Sequence, residues 1–397
     1  MTSKRIVVHV GLHKTGTTYL QSLLRANRKQ LRAEQVHFPG GVDHLVQGLA
    51  VSDLMGRRPR GAANAAVTGQ WAMLLDSVRA EDLSTVLLSD ERLSLGGAGL
   101  ARRLFAAFPD REALVVVTAR DLGRVLVSAW QEELRNDATH SWADFAGAVR
   151  DLEHREKPPA RGFWRRQDLP AILRSWASVV GADRVQVVTV PPPGAGPDEL
   201  TDRFCRVLGL DPALLSSPAP RTNEGLGVAA TEVLRRLNSR LDHRLNERQY
   251  DKVVKRMLAP DLAQHSGRER FVLPADELGW VSDEARRQVA AVRAAGYPVE
   301  GDLDDLMPRP AAGRRPDDAD EAEVADAALA ALSALVERTA SSWWAGRPDD
   351  VRADVARIDR WRSQLRAGGA RVRSGAARLA DRSAVGRRLT AARLSRQ

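Results

Sequence analysis

Four short runs set the folding problem for this chain: IVVHV (6–10), STVLLS (84–89), ALVVVTA (113–119) and RVQVVTV (184–190). Each is rich in β-branched residues and lacks the polar alternation of a strand with one wet face. Such runs suit strands covered on both sides. Helical spacing fills the intervals: Leu20, Leu23, Leu24 and Leu31 share a face, Val125, Leu126, Ala129 and Trp130 mark a helix from about Leu122, and Leu173 and Trp176 mark a third. The repetition of strand, loop and helix predicts an α/β fold of three layers, a central parallel sheet flanked by helices. In such sheets ligands gather at the carboxyl ends of the strands.

Charge divides the chain unevenly. Residues 351–397 hold 13 Arg against 3 Asp, a net of +10, while the preceding 350 residues carry 47 basic and 48 acidic side chains. The high isoelectric point therefore belongs to the tail. We expect an α/β domain over 1–308, a linker over 309–323 (RPAAGRRPDDADEAE) and a basic, Ala/Arg-rich helical or partly disordered extension over 324–397. The extension reads either as a solvated tail or as a surface for acidic membrane or polyanions. The chain enters RIVVHV without a charged start and a long apolar stretch, and no apolar run approaches membrane-spanning length. The expectation is a cytoplasmic protein, its tail able to sit peripherally at the inner membrane surface. The single cysteine, Cys205, excludes an internal disulfide and reads as a core thiol. No His and carboxylate cluster has ligand spacing, so no metal is expected.

The first strand runs into GLHKTGTTYL, where Gly11, Lys14, Gly16, Thr17 and Thr18 separate it from a helix. Backbone N–H groups and the positive end of the helix dipole converge there, with hydroxyls and one mobile cation: an anion cradle. The common phosphate loop, G-x-x-x-x-G-K-[ST], places Lys directly after its second Gly. Here Lys14 precedes Gly16 by two residues, so that motif is not matched.

At Lys14-Thr15-Gly16-Thr17-Thr18 the chain resembles the sulfotransferases that use 3′-phosphoadenylyl sulfate (PAPS), whose first signature is a strand, K-[ST]-G-T-T and a helix. The resemblance, to bacterial members in particular, covers roughly residues 5–240 and more loosely extends to about 300. It implies a P-loop-like fold. It also implies that the loop from His13 through Tyr19 holds the 5′-phosphosulfate end of the donor, with Lys14 at the oxygen bridging phosphorus and sulfur and Tyr19 beside adenine. The family's second signature is an Arg at a strand end and a Ser eight residues on, which hold the donor's 3′-phosphate. VVVTARDLGRVLVSAW supplies Arg120 and Ser128 at that spacing. Arg offers a planar fork to a dianion and Ser a short hydrogen bond. Arg268, in SGRERF, is the candidate for a third donor contact from a basic loop.

Transfer also needs a base for the acceptor's proton. TVLLSDERLS puts Ser89, Asp90 and Glu91 at a strand end, and Glu91 is the first candidate, because some carbohydrate-modifying relatives use a Glu. His44, in FPGGVDHLVQGLA, is the second. The polar, Pro-broken stretch 154–170 (HREKPPARGFWRRQDLP) reads as an irregular lid or acceptor loop. The expected activity is sulfuryl transfer from PAPS, leaving 3′-phosphoadenosine 5′-phosphate (PAP), to a hydroxyl or amine of a glycan, lipid or small metabolite. No specific nucleic-acid partner is expected, since the domain is near neutral. Two alternatives stand beside it: a small-molecule kinase with Asp90 on magnesium, and a non-catalytic nucleotide-binding module that docks through its basic tail.

Overall fold

The computed structural model describes residues 4–40, 45–57, 67–217, 225–265 and 271–345. Among them, β1 (Arg5–His9), β2 (Val36–His37), β3 (Thr85–Ser89), β4 (Glu112–Ala119), β5 (Val185–Thr189) and β6 (Val299–Glu300) form one sheet in the order β2-β3-β1-β4-β5-β6, parallel throughout. The helices of the described residues include α1 (Thr17–Ala26), α2 (Arg28–Ala33), α3 (Leu45–Leu54), α4 (Gln70–Glu81), α5 (Gly97–Ala106), α6 (Leu122–Arg135), α7 (Trp142–Arg150), α8 (Ala160–Gln167), α9 (Leu169–Val180), α10 (Glu199–Leu208), α11 (Val228–Leu241), α12 (Leu278–Ala294) and α13 (Glu321–Ala345). The α/β class expected from the apolar runs is the one observed. After β1 the chain steps to the edge strand β2 and returns inward to β3 beside β1, then crosses to β4 on the other side of β1 and builds outward through β5 and β6. The β1 and β4 ends thus mark the switch point, where the loops part and leave a crevice.

The missing polar alternation has a direct cause. On one face Val7, Leu87, Val116 and Val188 meet Leu20 and Leu24 of α1, Leu31 of α2 and Phe204 and Cys205 of α10. On the other, Ile6, Val8, Leu88, Val115, Val117 and Val187 meet Leu100 and Leu104 of α5, Leu173 and Trp176 of α9, and Val289 and Val292 of α12. Cys205 is a buried free thiol, and burial first, then Asp202 and Asp211, push its pKa up to about 12. A third apolar cluster lies beyond the sheet, where Trp130, Trp142, Phe145, Phe163 and Trp164 gather α6, α7 and α8.

That cluster corrects the expected irregular loop. Within 154–170, residues Ala160–Gln167 form α8, which buries Phe163 and Trp164. The indole of Trp164 donates to the Val149 carbonyl at 3.0 Å, so this Trp is core. Residues 309–323 also pack. Val272 N donates to Arg314 O at 3.0 Å, Arg315 pairs with Asp276 at 3.0 Å, and Arg314 pairs with Glu323 at 2.7 Å. The unit that contains the sheet runs to Ala330. The expected basic extension lies outside the described residues from 346 onward, as do His44 and Arg268. Among the described residues no helix is long and apolar enough to cross a membrane.

One buried polar chain crosses three strands beneath the crevice. His9, fully buried, places Nδ1 2.8 Å from Ser89 Oγ and Nε2 3.1 Å from Thr118 Oγ1. Thr118 Oγ1 is in turn 2.8 Å from Thr15 Oγ1, so β3, β1, β4 and the loop after β1 are joined by side chains alone. A neutral imidazole, one nitrogen donating and one accepting, satisfies the chain. Burial lowers the His9 pKa to about 3.

The unfolded chain therefore takes up a proton below about pH 6.5 that the native chain refuses, so this group withdraws stability as pH falls. Chemical denaturation of wild type and His9→Gln between pH 6 and 4.5 should show wild type losing about 1.4 kcal/mol per pH unit relative to the variant. Parallel pH profiles for the two proteins would contradict a neutral buried imidazole.

Candidate functional site

The loop between β1 and α1 is held in an unusual backbone shape. Lys14 has φ 68° and Gly16 φ 84°, both in the left-handed region. Gly16 tolerates that region, whereas Lys14 is strained there by roughly 1 kcal/mol. Gly11 is required for a different reason, since a Cβ at this position would stand 2.1 Å from Thr17 Oγ1. No side chain caps the N-terminus of α1. Its first N–H groups therefore face the crevice end of the loop without a side-chain acceptor.

The loop's path is fixed by what surrounds it. Thr15 Oγ1 donates to Leu12 O at 2.6 Å, and Leu12 N donates to Thr118 O at 3.2 Å. Arg120, just past β4, donates from Nη1 to the Lys14 carbonyl at 3.1 Å. From the far side Gln167, the last residue of α8, donates to the His13 carbonyl at 2.8 Å. The two signature segments are thus in direct contact across the switch point. Arg120 lies half-buried beside the loop.

Lys14 Nζ forms an ion pair with Glu132 of α6 at 2.9 Å. Burial alone would raise the Glu132 pKa, but the Lys14 charge and hydrogen bond outweigh it and hold the carboxylate below its usual range. Ser128 is half-buried one helical turn before Glu132, on the α6 face that meets Lys14. Thr17 is buried, Thr18 is exposed, and Tyr19 is exposed with its hydroxyl 3.2 Å from Thr201 Oγ1. His13 has its Nδ1 buried with no hydrogen-bond partner. Burial first, then the charges of Arg166 and Lys14, lower its pKa to about 4, so the ring is neutral at pH 7.

The β3 end contributes carboxylates of two kinds. Asp90 is buried and both its oxygens are taken by Arg92, Nε to Oδ1 at 2.9 Å and Nη2 to Oδ2 at 2.6 Å. It also caps the 3-10 turn Glu91–Leu95, accepting from Arg92 N at 2.9 Å. The capping job available to an acid here is therefore done by Asp90, and Glu91 is left for other work. Burial first, and then the charge of Asp90, raise the Glu91 pKa, while Lys14 is close enough to act in the opposite sense. Ser89 is committed to His9 and to Gln21, whose Nε2 reaches the Ser89 carbonyl at 3.0 Å. Among the described residues no group of His, Cys, Asp and Glu could hold a metal.

Sequence reasoning named Lys14, Thr15, Gly16, Arg120, Ser128 and Glu91 for this crevice but missed Glu132, and it read Arg166 and Gln167 only as part of an irregular lid or acceptor loop over 154–170. Glu132 carried no local signal, because an acid in WQEELR reads equally as a solvated one. That Gln167 and Arg166 bear on His13 had no local signal, because they arrive from a helix more than 140 positions downstream.

The two carboxylates differ in what they hold. Asp90→Ala should destabilise the protein by about 3 kcal/mol, because it strands the Arg92 guanidinium beside a buried gap. Glu132→Gln should cost less than about 1 kcal/mol, since that pair is 31% and 44% exposed at its two side chains. Urea denaturation of both variants measures the contrast, and equal losses would contradict it.

No family model and no curated protein matches the chain. Among solved structures it is similar to a sulfotransferase from Alicyclobacillus acidocaldarius, with 17% sequence identity and a TM-score of 0.38 over 55% of this chain and 86% of that one.

Proposed function

We propose that this chain is a sulfotransferase that moves a sulfuryl group from PAPS to a hydroxyl or amine. The observation that carries the reading is the contact between its two signature segments: Arg120 is bonded to the carbonyl of Lys14 at the switch point of the sheet. One elongated nucleotide with anionic groups near both ends, spanning a loop and a strand end, accounts for both cations at once. The cradle fits such a ligand on three further counts: the close approach enforced at Gly11, the left-handed turn at Gly16 and the α1 terminus that no side chain caps.

In this scheme Thr17, Thr18 and the α1 N–H groups bind the 5′ end, Arg120 and Ser128 the 3′-phosphate, and exposed Tyr19 lies beside the base. PAPS brings a sulfur centre whose bond to the phosphate oxygen breaks as the acceptor's oxygen or nitrogen bonds to it. Lys14 stabilises the charge gathering on the departing phosphate, and Glu91 takes the acceptor's proton. A carboxylate whose pKa is raised suits that task near neutral pH. Lys14 must first exchange Glu132 for the donor, an exchange between two anionic partners. Both oxygens of buried Asp90 already accept hydrogen bonds from Arg92, a structural pairing that weighs against the kinase alternative.

Donor binding and transfer should separate by residue. Lys14→Ala should lower transfer at least about a hundredfold. Arg120→Ala should weaken PAP binding by about tenfold or more, and weaken adenosine 5′-phosphosulfate, which lacks the 3′-phosphate and feels only the loosened loop, several-fold less. Glu91→Gln should reduce kcat about a hundredfold with PAP affinity retained. Calorimetry with PAP and adenosine 5′-phosphosulfate and a labelled-donor assay give these values. An Arg120 variant that weakens both nucleotides equally would end the two-pocket reading, and an active Glu91→Gln would move the base to His44.

A further inference from the structure

A cavity of about 500 Å³ opens between α6 and α8, and its wall carries Arg161, Arg165 and Arg166 with Glu133, His140 and two prolines. Its charge is lopsided. The carboxylate of Glu133 faces His140, whose Nε2 is 3.2 Å away, which leaves three guanidiniums around a space large enough for a small ligand. Arg165 and Arg166 in the last turn of α8 suit the helix dipole, but Arg161 in the first turn opposes it and repels Arg165 one turn on. The opposite face of α8 buries Phe163 and Trp164, so the three arginines are held outward by a packed helix.

This wall is braced to the donor loop. Gln167 ends α8 on the His13 carbonyl, and Arg166 bears on His13 strongly enough to lower its pKa. Glu133 lines the cavity, while Glu132, its neighbour on α6, holds Lys14. The positive rim continues toward β3, where Arg57 is depressed by partial burial and then by the charges of Arg92, Arg165 and Arg166. Charge, room and the brace from Gln167 and Arg166 to His13 of the donor loop come together on this wall.

We infer that this cavity receives the acceptor and that the acceptor is an anion: a small hydroxylated or aminated molecule of about disaccharide size, bearing a carboxylate or sulfate that Arg161, Arg165 and Arg166 grip. Guanidiniums in a fork match either oxyanion. The assignment of the cavity to an acceptor rests on the donor reading above, while its preference for anions does not.

The test is calorimetry on the full chain, with and without PAP, using a uronate disaccharide, a sulfated neutral disaccharide and the unmodified neutral disaccharide as probes. Wild type should bind at least one anionic probe ten times or more tightly than the neutral one, and the stronger of the two identifies the oxyanion. Arg161→Ser/Arg165→Ser, at two exposed positions, should lose that affinity at least tenfold while melting like wild type and retaining PAP binding. Equal binding of neutral and anionic probes, no binding of any probe, or an unaffected double variant would each overturn the proposal. Arginine-dependent anion binding in a chain that ignores PAP would end the donor reading alone.

Discussion

The site depends on how firmly the loop after β1 is sewn to the end of β4. Thr15 bonds Thr118, Leu12 bonds the Thr118 carbonyl, and Arg120 bonds the carbonyl of Lys14. Beneath them His9 links Ser89 to Thr118, so the floor of the crevice spans three strands. A loop carrying a left-handed lysine cannot keep its shape unaided. The surrounding sheet over-determines it, and the sheet is rigid because its strands are buried on both faces.

On that floor the charges are arranged unequally. Asp90 and Arg92 satisfy one another and act as structure. Lys14 and Glu132 meet in a half-exposed pair, weak enough for an incoming anion to displace. Glu91, without a cation directly on its carboxylate among the described contacts, has its pKa raised by burial and by Asp90. Environments that push neighbouring groups apart in this way separate a structural acid and a counter-ion from the carboxylate proposed above as the base, all three of the same chemistry.

Much of this was legible in the sequence, and for local reasons. Doubly buried strands announce themselves as continuous β-branched runs, and all four such runs are strands of the sheet. The loop was legible because Gly, Lys and Thr at that spacing have few other uses. The two-residue strands β2 and β6 were not, being too short for any periodicity. The helix α8 was hidden by Pro158 and Pro159 ahead of it and by arginines that obscure its buried face of Ala160, Phe163, Trp164 and Gln167. Glu132 could be named only after the fold brought α6 over the loop, since nothing in WQEELR distinguishes a counter-ion from a solvated acid. The stretch 309–323 has a linker's composition, yet Arg314 and Arg315 tie it to the domain through contacts no local pattern encodes.

A crystal structure of the chain with PAP bound tests the central claim most directly. The account predicts one nucleotide with its 5′-phosphate at the Gly16–Thr18 backbone, its 3′-phosphate on Arg120 and Ser128, and Lys14 turned from Glu132 toward the 5′ end. A nucleotide bound elsewhere, or one touching Lys14 with its 3′-phosphate remote from Arg120, would contradict it.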